Sequence, residues 1–284
     1  MSLRVNDFTI NIATANGTGS QSANLVILHS MYEMGVPVSG KNLFPSNISG
    51  LPTWFIIRAS DAGYQAPGDY THIQIMMNKD TWQKDLDKLD PGTVIIYNQD
   101  TKLPVDRDDC IVLGMPMTKM ARTISPKMAK LMANMYYVGA LAHILKIDDE
   151  AIRKAISQQF GGKEKAIEWN MQAISEGKEY AKENWEYESE YLVEAREKDP
   201  NTFLIEGNEA TALGAIYGGI NMLSWYPITP SSSVAESIIG WIPKLREGED
   251  GGATCAVVQA EDELAAAGMV LGAGWAGGRG MTCT

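Results

Sequence analysis

The chain has 284 residues, of which 45% are hydrophobic and 21% charged, enough for a sizeable core in one large or two modest domains. Its net charge of −11 argues against nonspecific binding to nucleic acid or an anionic membrane, which both need positive surface; proteins and small molecules are the expected partners. No run approaches the roughly 18 apolar residues that cross a bilayer, and the start Met-Ser-Leu-Arg-Val-Asn-Asp has no signal-peptide apolar stretch, so a cytoplasmic location is the expectation.

The first segment, residues 8–31, reads as a strand, a turn containing Gly17, Thr18 and Gly19, and a helix. Such a unit opens doubly wound α/β domains, where a glycine turn lets backbone N–H groups approach a phosphate at a helix N-terminus. The turn is a candidate site for coenzyme A or another phosphate. Thr14 stands where a full dinucleotide motif would have its first glycine, and a plain strand-to-helix turn explains the stretch equally well. His29 falls on an apolar helix and reads as packing. Residues 41–54 form a turn-rich yet apolar loop whose Phe44, Leu51 and Trp54, if exposed, suit a partner interface; folding back on the protein's own core is the other reading.

Strands follow at 54–60 and 72–77, a short amphipathic helix at 80–89, and strands at 93–97 and 109–116, an alternation that implies a mainly parallel sheet. Residues 126–145 form a helix whose apolar stripe, Met128, Leu131, Met132, Met135, Val138, Leu141 and Ile144, reads as core, with His143 as packing. Helices are expected at 149–160 and 163–185. The acidic run 186–201 has little periodicity and reads as a solvated linker, with a domain boundary near Pro200.

Beyond it, residues 206–222 are read as a helix rich in small residues. An extended Tyr226-Pro227-Ile228-Thr229-Pro230 turn comes next, because a residue before proline avoids the α region. The helix after it starts in one of two ways: Thr229 caps it with Pro230 at the first position, or Ser233 caps it with Glu236 completing a capping box. Either start faces hydroxyls and backbone N–H groups towards one point, an anchor for a carboxylate or phosphate. A polar loop at 247–252, a strand at 256–259 and a helix from Glu261 to about Ala276 complete the chain. Cys110, Cys255 and Cys283 are far apart without a C-x-x-C pair, so they read as free thiols that build neither a disulfide framework nor an iron–sulfur site.

Three stretches, Glu206-Gly-Asn208-Glu209-Ala-Thr-Ala-Leu-Gly214-Ala, Tyr226-Pro-Ile-Thr-Pro-Ser231 and Gln259-Ala-Glu261-Asp262-Glu263, together resemble the pyrimidine-binding domain of the thiamine-dependent 2-oxoacid:acceptor (ferredoxin) oxidoreductases, in particular the 2-oxoglutarate-type α subunit. Lys41-Asn-Leu-Phe-Pro-Ser-Asn47 and Gly50-Leu-Pro-Thr-Trp54 are similar to the γ-type domain that precedes it in that family, so the resemblance spans nearly the whole chain. It implies an α/β fold: a Rossmann-like γ-type domain with a mainly parallel sheet (1–185), the acidic linker (186–201), and the start of a thiamine-diphosphate pyrimidine-binding α/β domain (202–284).

The resemblance further implies roles for single residues. The carboxylate that bonds the aminopyrimidine of thiamine diphosphate falls on Glu263, with Glu261 as the alternative register. Thr229 meets the 2-oxoacid carboxylate, and the backbone of Tyr226, Pro227, Ile228 and Thr229 lies beside the cofactor. Electrons then leave through iron–sulfur clusters to ferredoxin and the acyl group passes to coenzyme A. A β subunit supplies the ligands for the diphosphate, Mg2+ and clusters, which makes a hetero-oligomer the expected assembly. The chain stops at Gly280-Met-Thr-Cys-Thr284, just before a Ser-Gly-Pro-Gly turn that the resemblance predicts; it reads as the N-terminal part of such a subunit, inactive by itself. Two readings of other classes stand beside it: a noncatalytic nucleotide- or CoA-binding module, and a scaffold subunit of a larger complex.

Overall fold

The computed structural model describes residues 3–44, 51–161, 163–248 and 251–284. The chain divides into two compact units, one up to Pro200 and one from Asn201. The first contains β1 (Arg4–Val5), β2 (Asp7–Ala15), α1 (Ser20–Glu33), β3 (Val38–Leu43), β4 (Pro52–Ser60), β5 (Ile73–Met76), α2 (Trp82–Leu86), β6 (Val94–Asn98) and β7 (Ile111–Met115). Four helices follow, α3 (Met117–Ile124), α4 (Ala129–Leu145), α5 (Asp149–Gln159) and α6 (Glu164–Asn184), and then the short strand β8 (Tyr191–Leu192).

Six strands form one sheet in the order β3-β4-β2-β5-β6-β7. The run β2-β5-β6-β7 is parallel, while β3 and β4 join it antiparallel. Parallel strands covered on both faces read as continuous apolar runs, and Ile73, Ile75, Val94, Ile95 and Ile96 are all fully buried. Trp82, Leu86 and Leu89 cover the face that carries Met76 and Ile95. Helices α4 and α6 pack with their backbones close together because each has a glycine at the crossing: a Cβ on Gly139 would lie 2.1 Å from the Ile174 carbonyl oxygen, and one on Gly177 2.5 Å from that of Tyr136.

Several sequence expectations change here. Helix α3 was not anticipated, and the helix expected from 126 begins at Ala129, leaving Met128 and Leu131 exposed while Met132, Met135, Val138, Leu141 and Ile144 are buried as a core stripe should be. The ends of the loop expected at 41–54 are strand, the close of β3 and the start of β4, and its centre, 45–50, lies outside the described residues. Trp54 is half-buried, its indole N–H donating to Asp85 Oδ1 at 2.9 Å, and Phe44 is half-buried too; of the three side chains expected at the surface, Leu51 is exposed. Most of the acidic stretch after residue 185 does lack regular structure, yet it is tied to the first unit. Strand β8 pairs in parallel with β1, and the Arg196 N–H donates to the Met34 carbonyl at 2.8 Å. Pairing is possible because Tyr191, Leu192 and Val193 interrupt the acids with apolar residues, and Tyr191 and Val193 are buried.

The second unit contains α7 (Gly207–Tyr217), β9 (Met222–Trp225), α8 (Ser232–Leu245), β10 (Ala256–Gln259), α9 (Glu263–Trp275) and β11 (Gly280–Met281). Its three-stranded parallel sheet has the order β10-β9-β11. The helix expected over 206–222 therefore stops early: Gly218 and left-handed Gly219 end it, and Met222–Trp225 becomes the central strand. The core lies where α7 and α8 meet β9, around Ala212, Ile216, Leu223, Trp225, Val234, Ala235 and Ile238.

Candidate functional site

In the second unit the chain moves from β9 to β10 on one side, then crosses back over β9 to β11. With right-handed crossovers, these two connections, which run in opposite directions along the sheet, lie on its opposite faces. The strands they leave, β9 and β10, are neighbours in parallel register. Trp225 is registered with Gln259, and the Ala260 N–H donates to the Trp225 carbonyl at 2.8 Å. The Tyr226–Thr229 turn and the acidic start of α9 thus leave the sheet side by side. Thr229 is four residues and Glu263 four residues beyond the paired positions.

The turn is built locally. The helix after it is capped by Ser231, not by Thr229 or Ser233, and no side chain closes its end. The reason is that the serine hydroxyls turn back onto the turn's own carbonyls: Ser231 and Ser232 each donate to Ile228 O at 3.1 Å, and Ser233 donates to Pro230 O at 3.1 Å. Asn208, near the start of α7, clamps the same turn, its amide donating to Pro230 O at 2.8 Å and to Ser233 Oγ at 2.7 Å. Two motifs distant in sequence therefore form one structure. Tyr226 is half-buried, whereas Pro227, Ile228 and Thr229 are exposed. After β10, Asp262 caps α9, accepting from the Ala265 N–H at 2.6 Å, so Glu263 takes the first helical position with an exposed carboxylate near the positive end of the helix. Glu261 precedes the cap and is exposed as well.

The first unit has a switch point of its own, between β2 and β5. A cavity of about 530 Å³ opens there, lined by Asn16 and Thr18 after β2, Asn78 and Lys79 after β5, and Arg122 and Lys130 from α3 and α4. Gly17 and Gly19 both have positive φ, which a side chain would strain, and this brings the chain sharply into α1. Thr14, at the place of an expected glycine, is buried and joins strand to helix by donating to Ser20 Oγ at 2.9 Å. Asn134 fixes the turn from α4, its amide donating to the Thr18 carbonyl at 2.7 Å.

Sequence reasoning missed the other half of this cavity. Asn78, which lines this cavity, is 4% exposed, and its buried amide nitrogen has no hydrogen-bond partner. Among the described residues, Lys79, Arg122 and Lys130 have no carboxylate within ion-pair distance. The signal was present, since Asn78-Lys79-Asp80 follows the apolar strand β5 and polar residues at a parallel strand's carboxyl end are where ligands bind. Arg122 and Lys130 had no comparable sign, for only folding brings α3 and α4 to that edge. His29 and His143 are half-buried and do not line this cavity, and burial first, then Lys178 and Lys182, lower the proton affinity of His143. No group of three or more His, Cys, Asp or Glu side chains among the described residues converges as a metal site, and no helix of the described residues is long and apolar enough to cross a membrane.

Residues 9–180 match the profile of the pyruvate ferredoxin/flavodoxin oxidoreductase family. The chain belongs to this family. Residues 213–284 match the family's thiamine diphosphate-binding domain, so the chain is a γ-type α/β domain followed by the start of a thiamine-binding domain, both with mostly parallel sheets. It is 28% identical to subunit alpha of 2-oxoacid:ferredoxin oxidoreductase 2 from Aeropyrum pernix, over 98% of this chain and 51% of that protein. A shorter stretch, 29% of this chain and 20% of the relative, is 45% identical to the 2-oxoglutarate synthase subunit KorA of Methanothermobacter thermautotrophicus. Among solved structures, a 2-oxoglutarate:ferredoxin oxidoreductase from Magnetococcus marinus, with 2-oxoglutarate, coenzyme A and succinyl-CoA bound, matches with a TM-score of 0.82 and 29% identity over 98% of this chain and 47% of that one. The chain of this oxidoreductase-family protein spans about half the length of the full-length relatives it matches.

Proposed function

We propose that this chain is part of the α subunit of a 2-oxoacid:ferredoxin oxidoreductase that converts a 2-oxoacid, 2-oxoglutarate in the first instance, to its acyl-CoA with electrons passed to ferredoxin. The observation that supports the reading most is the register of β9 with β10, from which the turn carrying Thr229 and the helix carrying Glu263 emerge next to one another. An exposed carboxylate at a helix start and a turn of exposed residues, both leaving paired strand ends, would suit the aminopyrimidine half of thiamine diphosphate. Glu263 would share a proton with the ring nitrogen of the aminopyrimidine, and the Tyr226–Thr229 backbone would accept from its exocyclic amine. Thr229 would donate its hydroxyl to the 2-oxoacid carboxylate. When bound, thiamine diphosphate supplies the nucleophilic carbon and the electron sink for decarboxylation. The diphosphate, Mg2+ and iron–sulfur clusters belong, on this reading, to a β subunit, and ferredoxin is the electron acceptor.

The test is turnover of the complex reconstituted with its β subunit, followed as 2-oxoacid-dependent viologen reduction with 2-oxoglutarate and pyruvate compared. Glu263→Gln should lower kcat by ~10²–10⁴-fold, the range for a positioned acid–base group. Glu261→Gln should leave kcat nearly intact. Unchanged turnover in the Glu263 variant would instead favour a scaffold subunit.

Coenzyme A is assigned to the cavity of the first unit, its phosphates against the Gly17-Thr18-Gly19 turn, Lys79, Arg122 and Lys130, with Asn78 as a further donor. Arg122→Ala should weaken coenzyme A binding roughly 10-fold, the scale of one lost charge-assisted hydrogen bond, and leave the KM for the 2-oxoacid unchanged. Calorimetry with coenzyme A and with thiamine diphosphate separates the readings: coenzyme A binding with no thiamine-dependent activity in any reconstituted complex would leave a noncatalytic binding module.

A further inference from the structure

Helix α3 borders the cavity of the first unit without a cap of its own. Its N-cap residue is Pro116, whose side chain offers no acceptor to the free N–H groups of the first turn. The helix has eight residues, of which only Met117 and Ala121 are buried, so neither its length nor its packing holds it firmly. Yet it carries Arg122, one of the three cations that line the cavity.

The missing cap comes from the end of another strand. After β6 the chain makes the short turn Gln99–Thr101, and there Asp100 Oδ2 accepts the Lys119 N–H at 2.7 Å. Lys119 is the third residue of α3, a position whose N–H a capping side chain ordinarily takes, and a carboxylate at that end also meets the positive pole of the helix. Asn98 adds a second tie. Its amide donates to Thr118 Oγ1 at 2.8 Å, its Oδ1 accepts the Asp100 N–H at 3.2 Å, and its carbonyl accepts from Thr101 Oγ1 at 2.9 Å, so one buried residue fixes both the turn and the helix start. Thr118 and Arg122 are four residues apart on one face of α3, and both line the cavity. Holding Thr118 and Lys119 therefore sets where the guanidinium one turn later can reach.

Asp100 lines the cavity as well, a carboxylate in the company of Lys79, Arg122 and Lys130, and among the described residues it forms no ion pair. We infer that Asp100 is a positioning residue for anion binding in this cavity: it caps α3 from the end of β6 and thereby holds Arg122 against the phosphates of coenzyme A. The identity of the ligand rests on the assignment of coenzyme A to this cavity; the action of Asp100 on Arg122 does not. Charge and geometry give opposite signs for this carboxylate. As a charge, its loss tightens phosphate binding; as a cap, its loss loosens it. Asparagine caps a helix as well as aspartate does and carries no charge, so it separates the two.

Calorimetric titration of the 284-residue chain with coenzyme A, and with inorganic pyrophosphate as the bare anion, tests it. Asp100→Ala should weaken binding of both probes roughly 3–10-fold, and no more than Arg122→Ala does. In the Arg122→Ala background the same change should no longer weaken binding, because the group through which Asp100 acts is gone. Asp100→Asn should bind both probes at least as tightly as the unchanged chain. Tighter binding by Asp100→Ala would leave the carboxylate a repelling charge only and overturn the inference. A loss as large in Asp100→Asn as in Asp100→Ala, or one that persists without Arg122, would assign Asp100 a direct contact with the ligand and overturn it too. Pyrophosphate behaving as expected while coenzyme A fails to bind would sink the coenzyme A assignment and leave the positioning role standing; binding of neither probe would overturn both.

Discussion

Two helix surfaces in this molecule use glycine in opposite circumstances. In the first unit, Gly139 of α4 and Gly177 of α6 face backbone carbonyls that an added Cβ would strike, and the two helices pass close because both side chains are missing. In the second unit, the glycines of α9 face open space. The same residue type therefore marks a satisfied contact in one place and an unused one in the other. A glycine inside a helix leaves room for a close neighbour; the fold shows where that room is used.

The largest effect should come from breaking the satisfied contact. Gly139→Ala forces α4 and α6 apart against backbone, not against a side chain that can move, and should cost about 3 kcal/mol or more, read as a lower urea midpoint for the first unit. A midpoint shifted by less than a third of that would mean the crossing yields easily.

Acid should distinguish the units next. All three histidines lie in the first unit. His72 is 8% exposed, its Nδ1 accepting the Thr9 N–H at 3.0 Å, and Arg4 Nη1 lies 2.7 Å from its Nε2. Burial, then the charges of Arg4 and Arg58, push its pKa down from 6.5 to about 4. The unfolded chain thus takes up the proton first, so the stability from a neutral His72 is complete above pH 6.5 and is lost as pH falls towards 4. This should remove on the order of 2 kcal/mol from the first unit. Hydrogen exchange at a series of urea concentrations, which reads β2 and β9 separately, should find the second unit nearly unchanged between pH 7 and pH 5; equal loss in both units would refute the assignment. The smallest effect should have the opposite sign. Gly272→Ala, inside α9 and with nothing near its added carbon, should raise the stability of the second unit by about 0.5–1 kcal/mol, and a loss of stability there would show an unseen close neighbour.

Much of the fold was legible in the sequence where the deciding forces are local. The apolar runs read as strands at 72–77 and 93–97 are strands at Ile73–Met76 and Val94–Asn98, the Gly17-Thr18-Gly19 turn bends into a helix as read, and the Met-rich helix buries most of its stripe. Errors arose where a local pattern had two solutions. The small-residue run to Met222 looks helical throughout, yet the Gly218-Gly219 pair stops the helix and frees Met222–Trp225 to become a central strand. The serines after Pro230 are good caps by type, but their hydroxyls satisfy the turn's carbonyls first. The acidic stretch looked like a linker because charge dominates its composition, while three apolar residues were enough to pin it to β1.

Family membership, the chemical types at the candidate site and the turns that present them follow from the sequence alone, since motif identity and the backbone limits of proline and glycine act over a few residues. The exit of the Tyr226–Thr229 turn and of the acidic start of α9 from paired positions at one sheet end, and the meeting of Asn78, Lys79, Arg122 and Lys130 along one cavity, were decided only by the tertiary structure. Strand order and register join residues far apart along the chain, and no local preference encodes which strands become neighbours.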